Sequence, residues 1–209
     1  MKGYKPAGFI ALLLLEIPLA INALSYGNFD SNYGFLRLKQ RAIETGWYLP
    51  AYYAHVLVAG LILLIGIFQL HPAWGLRWRK LHRTMGKLYV GGILFFSAPG
   101  GLIMSLFINR GPLVLASFLV QCGLWFMSTF MAYYFIRQGD VQAHRQWMLR
   151  SYALTLAAIT LRIYVFLGSW SFELGQPVAY AVIAWISWVP NLLLCEWYLR
   201  IKRKRVMVA

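Results

Sequence analysis

Apolar runs of bilayer-crossing length recur along the whole of this 209-residue chain. An α-helix rises 1.5 Å per residue, so about 20 residues cross the roughly 30 Å of hydrocarbon in a bilayer. A backbone in lipid has no water to satisfy it, which leaves helices as the structure open to runs of this kind. Six are expected: Ala7 to Leu24, Tyr48 to Leu70, Leu88 to Ile108, Leu113 to Ile136, Trp147 to Gly168 and Val178 to Leu199. The reading is an all-α polytopic membrane bundle in which residues 1–209 form a single transmembrane domain.

Composition agrees. The chain is 60% hydrophobic and 12% charged, about half the charge of a soluble domain. The N-terminal stretch has the look of a secretory signal, but Glu16 interrupts its apolar core and no small-x-small site follows. It is expected to stay as the first helix. Cys122 and Cys195 both lie in apolar runs and read as small packing residues.

A net charge of +14 can mark a nucleic-acid binder, but here the cations cluster between apolar spans, where membrane topology puts them. With both termini inside, the inner face holds 15 Lys and Arg, and the outer face holds Arg37, Lys39, Arg41 and Arg110. This bias predicts an N-in, C-in protein whose basic inner loops meet anionic lipid. Trp47, Tyr48, Trp147, Trp170, Trp197 and Tyr198 gather near span ends, as interfacial anchors do.

Ionisable groups inside the spans are the first functional candidates, because burying them in lipid is costly. Glu16, His55 and Arg162 are expected about 9–12 Å inside the outer ends of their helices. Two readings stand for them. One is an outer polar site in which Arg162 takes an anionic group and His55 acts as ligand or proton carrier. The other is a structural Arg162–Glu16 pair. Gln121 and Ser97 are further polar candidates for that level. On the fifth span His144, Met148, Ser151, Thr155, Ala158 and Arg162 fall at helical spacing, predicting one small, polar stripe turned inward.

His71, His82 and His144 are placed at the inner interface. Imidazoles converging there can ligate haem iron or a transition metal, and nearby Arg79, Arg83, Arg145 and Arg150 suit propionates. The competing reading is that these groups simply meet lipid phosphates. His55 and His71 share one helix but lie sixteen residues apart, about 160° around it. That spacing rules against a two-haem column, leaving at most one haem or one metal. Hydrolase, metalloprotease and phosphate-loop signatures are missing from the sequence. Gly91, Gly92, Gly100 and Gly101 read as close-packing positions, with a kink expected at Pro99.

The strings HVLVAGLILLIGIFQLHP, KLHRTMGKLY and AHRQWMLRSYALTLAAITLRI, within Tyr52 to Gly168, resemble a family of predicted bacterial membrane proteins, domain of unknown function family 2306. The resemblance implies a bacterial inner-membrane location and directs attention to His55, His82, His144 and Arg162. The family is itself distantly similar to multi-helix b-type cytochromes. Together these readings predict haem b or a transition metal on His82 and His144, serving electron transfer or respiratory-enzyme assembly. His55 and Arg162 form the second site, with quinone as a candidate partner. The alternatives are a cofactor-free, proton-coupled carrier using Glu16, His55 and Arg162, and a structural or assembly subunit that holds other membrane proteins.

Overall fold

The computed structural model of the chain describes residues 6–70, 77–171 and 177–207. It contains six helical segments long and apolar enough to cross a membrane: Gly8–Asn28, Tyr48–Gln69, Arg79–Ser105, Pro112–Arg137, Val141–Trp170 and Val178–Arg203. There is no strand among the described residues. Large apolar side chains such as Leu14, Phe95, Phe166 and Leu193 stand exposed on these helices. A soluble monomer does not display so much apolar surface, whereas a lipid-facing one does. The chain divides into two compact units, residues 1–104 and 105–209.

In the first unit, α1 (Pro6–Leu24) leads through two short 3₁₀ turns and α2 (Gln40–Ile43) to α3 (Tyr48–Leu70). Glu16, Leu19, Ala20 and Ala23 are the buried residues of α1, one stripe at helical spacing. That stripe meets α3 at Gly60, where a Cβ would lie 2.9 Å from the Ala23 methyl. The third span starts as α4 (Arg79–Gly92), passes through a π-helical segment at Ile93–Ser97 and ends as α5 (Ala98–Ser105). The expected kink takes this form. Pro99 has no N–H for the carbonyl four residues back, and the ladder widens just before it: the Ala98 N–H bonds to the carbonyl of Ile93, five residues back.

Three segments differ from the sequence expectation. The stretch from Arg79 to Lys87 is the start of a helix rather than a loop, because its cations recur at helical spacing and keep one solvated face. The expected connection between Ile136 and Trp147 shrinks to a turn. There Gly139 takes φ 82° and the Asp140 carboxylate accepts from Ala143 N at 2.8 Å, capping the next helix. The fifth and sixth spans are each interrupted.

The second unit holds α6 (Pro112–Arg137), α7 (Val141–Thr155), α8 (Ala157–Ser171), α9 (Pro177–Ile186) and α10 (Val189–Met207). Leu156 breaks the fifth span and Ser187–Trp188 break the sixth. Pro190 supplies the reason for the second break, since it cannot donate to Ile186. Val114, Ala181 and Ala184 form a buried apolar contact between α6 and α9.

Candidate functional site

In the first unit, Glu16 is fully buried on the α1 stripe that packs against α3. His55 sits on α3 opposite the π-segment, and its Nδ1 lies 2.6 Å from the Ser97 carbonyl oxygen. A carbonyl only accepts, so Nδ1 carries the proton and the neutral ring's lone pair resides on Nε2. The Ser97 hydroxyl reaches back to the His55 carbonyl at 3.4 Å. Ser97 therefore does join one of the ionisable residues with which it was grouped. Helix and π-segment approach closely because Gly100 has no side chain. A Cβ there would fall 2.6 Å from the Ala51 carbonyl and 3.0 Å from the His55 nitrogen.

His82 lies on α4 and lines a small pocket with Phe68, Gln69, Trp78, Leu81 and Met85. The Gln69 amide donates to the His82 carbonyl at 2.8 Å, tying α3 to α4 at this level. Arg83, beside it, is exposed. His71 lies outside the described residues.

In the second unit, the inward stripe expected on the fifth span is present over its first half. His144 Nδ1 donates to the Ala132 carbonyl at 2.8 Å, Ser151 Oγ meets Thr129 Oγ1 at 2.7 Å, and Trp125 Nε1 donates to Thr155 Oγ1 at 2.9 Å. All three partners belong to α6. The stripe does not run on to Arg162. Beyond the break at Leu156, Arg162 is exposed on α8 and its guanidinium bonds to the Ala158 carbonyl of its own helix at 2.8 Å. Leu156 itself keeps right-handed helical angles, with its N–H on the Tyr152 carbonyl and its carbonyl accepting from Thr160 N. Arg145 is exposed next to His144, and Gln121 is half-buried on α6.

The two histidines proposed as a pair, His82 and His144, fall in different units, as do Glu16 and Arg162. Among the described residues no three His, Cys, Asp or Glu side chains come together. Residues 52–199 match the family described as predicted membrane protein (DUF2306). The chain belongs to that family. No curated protein and no solved structure matches it. Family membership thus carries the membrane architecture of the chain and assigns no activity to it.

Sequence reading missed two polar groupings in the second unit. Arg150, grouped with the cations of the inner interface, makes a two-pronged ion pair with Glu196 on α10 (Nε–Oε1 2.5 Å and Nη2–Oε2 3.0 Å). Its guanidinium also covers the Trp147 ring at 4.5 Å. Glu196 was the available signal, an acid inside the apolar run LLLCEWYL. The second grouping is Thr160, Ser187 and Asn191 at the two helix breaks. The Asn191 amide donates to Thr160 Oγ1 and to the Ser187 carbonyl, both at 3.2 Å, and the Thr160 hydroxyl also bonds to that carbonyl. Pro190 next to Asn191 was its signal.

Proposed function

We propose that this bacterial inner-membrane protein, with both termini on the basic cytoplasmic side, binds haem b through His144 and serves electron transfer or the assembly of a respiratory enzyme. The observation that carries the reading is the hydrogen bond from His144 Nδ1 to the Ala132 carbonyl. Fixing the proton on Nδ1 leaves the lone pair on Nε2, the atom that would coordinate, and this is how ligand histidines are held in metal sites. His144 is half-buried near the start of α7 with the cationic Arg145 beside it, a charge suited to a propionate. A bare transition metal asks the chain for three or four donors. A porphyrin brings four nitrogens of its own, so a single well-oriented imidazole fits it better. The haem would supply one-electron chemistry; the chain holds the imidazole in one tautomer through the Ala132 carbonyl.

Absorption spectra of the detergent-purified protein, oxidised and then dithionite-reduced, test this. A Soret band that shifts on reduction, with resolved α and β bands, is expected in the wild type and lost in a monodisperse His144→Ala variant. A colourless protein from haem-replete cells, or undiminished haem in His144→Ala, overturns it.

A second reading, a cofactor-free carrier, draws on one specific observation: the fifth and sixth spans are both interrupted, as carrier helices are where they hold substrate or coupling ions. Uptake abolished by Arg162→Ala in a colourless protein would favour it over the haem reading.

A further inference from the structure

One tyrosine hydroxyl in the first unit is left without an answering group. Tyr53, near the start of α3, is half-buried. Its Oη is closed off from solvent and meets no hydrogen-bond partner among the described residues. A hydroxyl so placed is costly unless something completes it. The Asp30 carboxylate, on the connection between α1 and α3, lies within electrostatic reach of the phenol. One carboxylate oxygen accepts from the Asn32 N–H at 2.8 Å. The other takes no hydrogen bond and no ion pair among the described residues.

Phe29 joins the two. It precedes Asp30, and its ring meets that of Tyr53 edge-on, with centroids 5.0 Å apart. It is the one non-glycine residue with positive φ among the described residues, at 54°. A phenylalanine in the left-handed region is strained, and strain of this kind gathers where ligands are clamped. Phe29 is 64% exposed, so a face of its ring stays open. Behind it Tyr53 packs on Tyr52, which stacks in turn against Phe35. The chain's own Lys39 ammonium stands over that last ring, 5.8 Å from its centroid. Tyr53 lies about 7.5 Å along α3 from its first residue, where hydrocarbon gives way to headgroups.

We propose that Asp30, Tyr53 and the open Phe29 ring form a binding site for a primary ammonium group at the membrane surface opposite the N-terminus. An ammonium brings three N–H donors, one for the open carboxylate oxygen and one for the unanswered Tyr53 Oη. Its positive charge is drawn to the ring face as well. Other ligand classes fit less well. Asp30 repels an anion, and a calcium-sized ion wants six or more oxygens where the two side chains offer few. The ammonium can belong to a free amine or to the headgroup of an aminolipid, since the site lies where both are present. No residue of the haem reading takes part, so the two stand or fall separately.

The test is thermal unfolding of the detergent-purified full-length chain, followed by tryptophan fluorescence, in butylammonium, tetramethylammonium or sodium chloride at fixed ionic strength. A second series adds dihexanoyl phosphatidylethanolamine, with the matching phosphatidylcholine as control. Butylammonium or the ethanolamine lipid should raise the midpoint saturably, on the order of 5 °C at a hundredfold excess over its dissociation constant. The controls, which have no N–H to donate, should do less. Asp30→Asn keeps the acceptor for Asn32 and drops the charge, so the half-saturating concentration should rise about tenfold. Tyr53→Phe removes only the unanswered hydroxyl. It should leave the midpoint without ligand unchanged or higher, yet weaken the response about fivefold. A response to the lipid alone, or at a tenfold lower concentration than butylammonium, would name an aminolipid as occupant; equal concentrations would name free amines. Midpoints that no primary ammonium moves beyond its control would show a gap filled by water, and overturn the proposal. A response that both variants keep in full would place the ammonium elsewhere and overturn it as well.

Discussion

The two units solve the same packing problem with different chemistry. The first brings helices together by removing side chains, with two side-chain bonds to main-chain carbonyls beside those contacts, His55 to Ser97 and Gln69 to His82. Gly60 lets α1 reach α3, and Gly92 and Gly100 let the third span reach it from the other side. At Gly100 the approach is backbone to backbone. The second unit keeps its side chains and bonds them: Ser151 to Thr129, Trp125 to Thr155, Trp188 Nε1 to Ser117 Oγ at 3.0 Å, and Arg150 to Glu196. Gly123 on α6 has open space around it rather than a neighbour. Helices in lipid gain no hydrophobic driving force from one another, so close contact and polar bonds are the two means left to them. Steric contact is unforgiving where the obstacle is main chain. Polar bonds are individually weak but can rearrange, which is what a unit with two interrupted helices needs.

The largest effect should come from breaking the steric solution. Gly100→Ala places a methyl 2.6 Å from the Ala51 oxygen, and neither helix can yield by rotating a side chain. A loss of about 3 kcal/mol is expected, visible as a large drop in unfolding midpoint or failure to accumulate folded protein. His55 would shift with its backbone, loosening its bond to Ser97. A variant as stable as the wild type would mean that the close approach at this crossing is not what holds α3 and the third span together.

An intermediate effect is expected at the ion pair of the second unit. Glu196→Gln leaves Arg150 partly buried beside an amide that carries no charge. Because both side chains keep some exposure, 20% and 32%, the cost should be about 1–2 kcal/mol rather than that of a fully buried pair. Replacing both with Met should recover most of it, since two apolar groups need no partner. If the double variant is as unstable as the single one, the pair contributes through geometry rather than through charge, and the contrast between the units narrows.

What the sequence disclosed follows from how locally each feature is written. Six spans were legible because hydropathy is a property of consecutive residues. The inward face of the fifth span was legible from His144 through Ser151 to Thr155, where a continuous helix preserves the 100° step. It did not carry to Arg162, whose long side chain is exposed and bonds to the Ala158 carbonyl of its own helix. The amphipathic start of the third span was hidden by its cations, which read as loop although Arg79, Arg83 and Lys87 keep helical spacing. Which histidine meets which carbonyl was beyond sequence, since Ala132 and Ser97 contribute main-chain atoms that every residue has. The family match, 52–199, confirms the architecture glimpsed in LHRTMGKLY and HRQWMLRSYA without adding chemistry to it.

The smallest effect should come from one thread of the polar network. Ser151→Ala removes a hydroxyl bonded to Thr129, at a position where both residues are fully buried. Interhelical bonds of this type average about 0.6 kcal/mol in membrane proteins, because the separated helices also find partners. Thr129 softens the loss further: its hydroxyl also bonds to the Trp125 carbonyl of its own helix at 2.8 Å, so it is not stranded. The midpoint should therefore move by only a degree or two. Combining Ser151→Ala with Thr155→Val, which also frees the Trp125 indole, should cost more than the sum of the two singles, because the remaining bonds share Trp125 as an anchor. Strict additivity would show independent bonds instead of a network. A loss at Ser151 alone as large as that at Gly100 would show that the second unit is as rigidly specified as the first, and the distinction between the two solutions would fall.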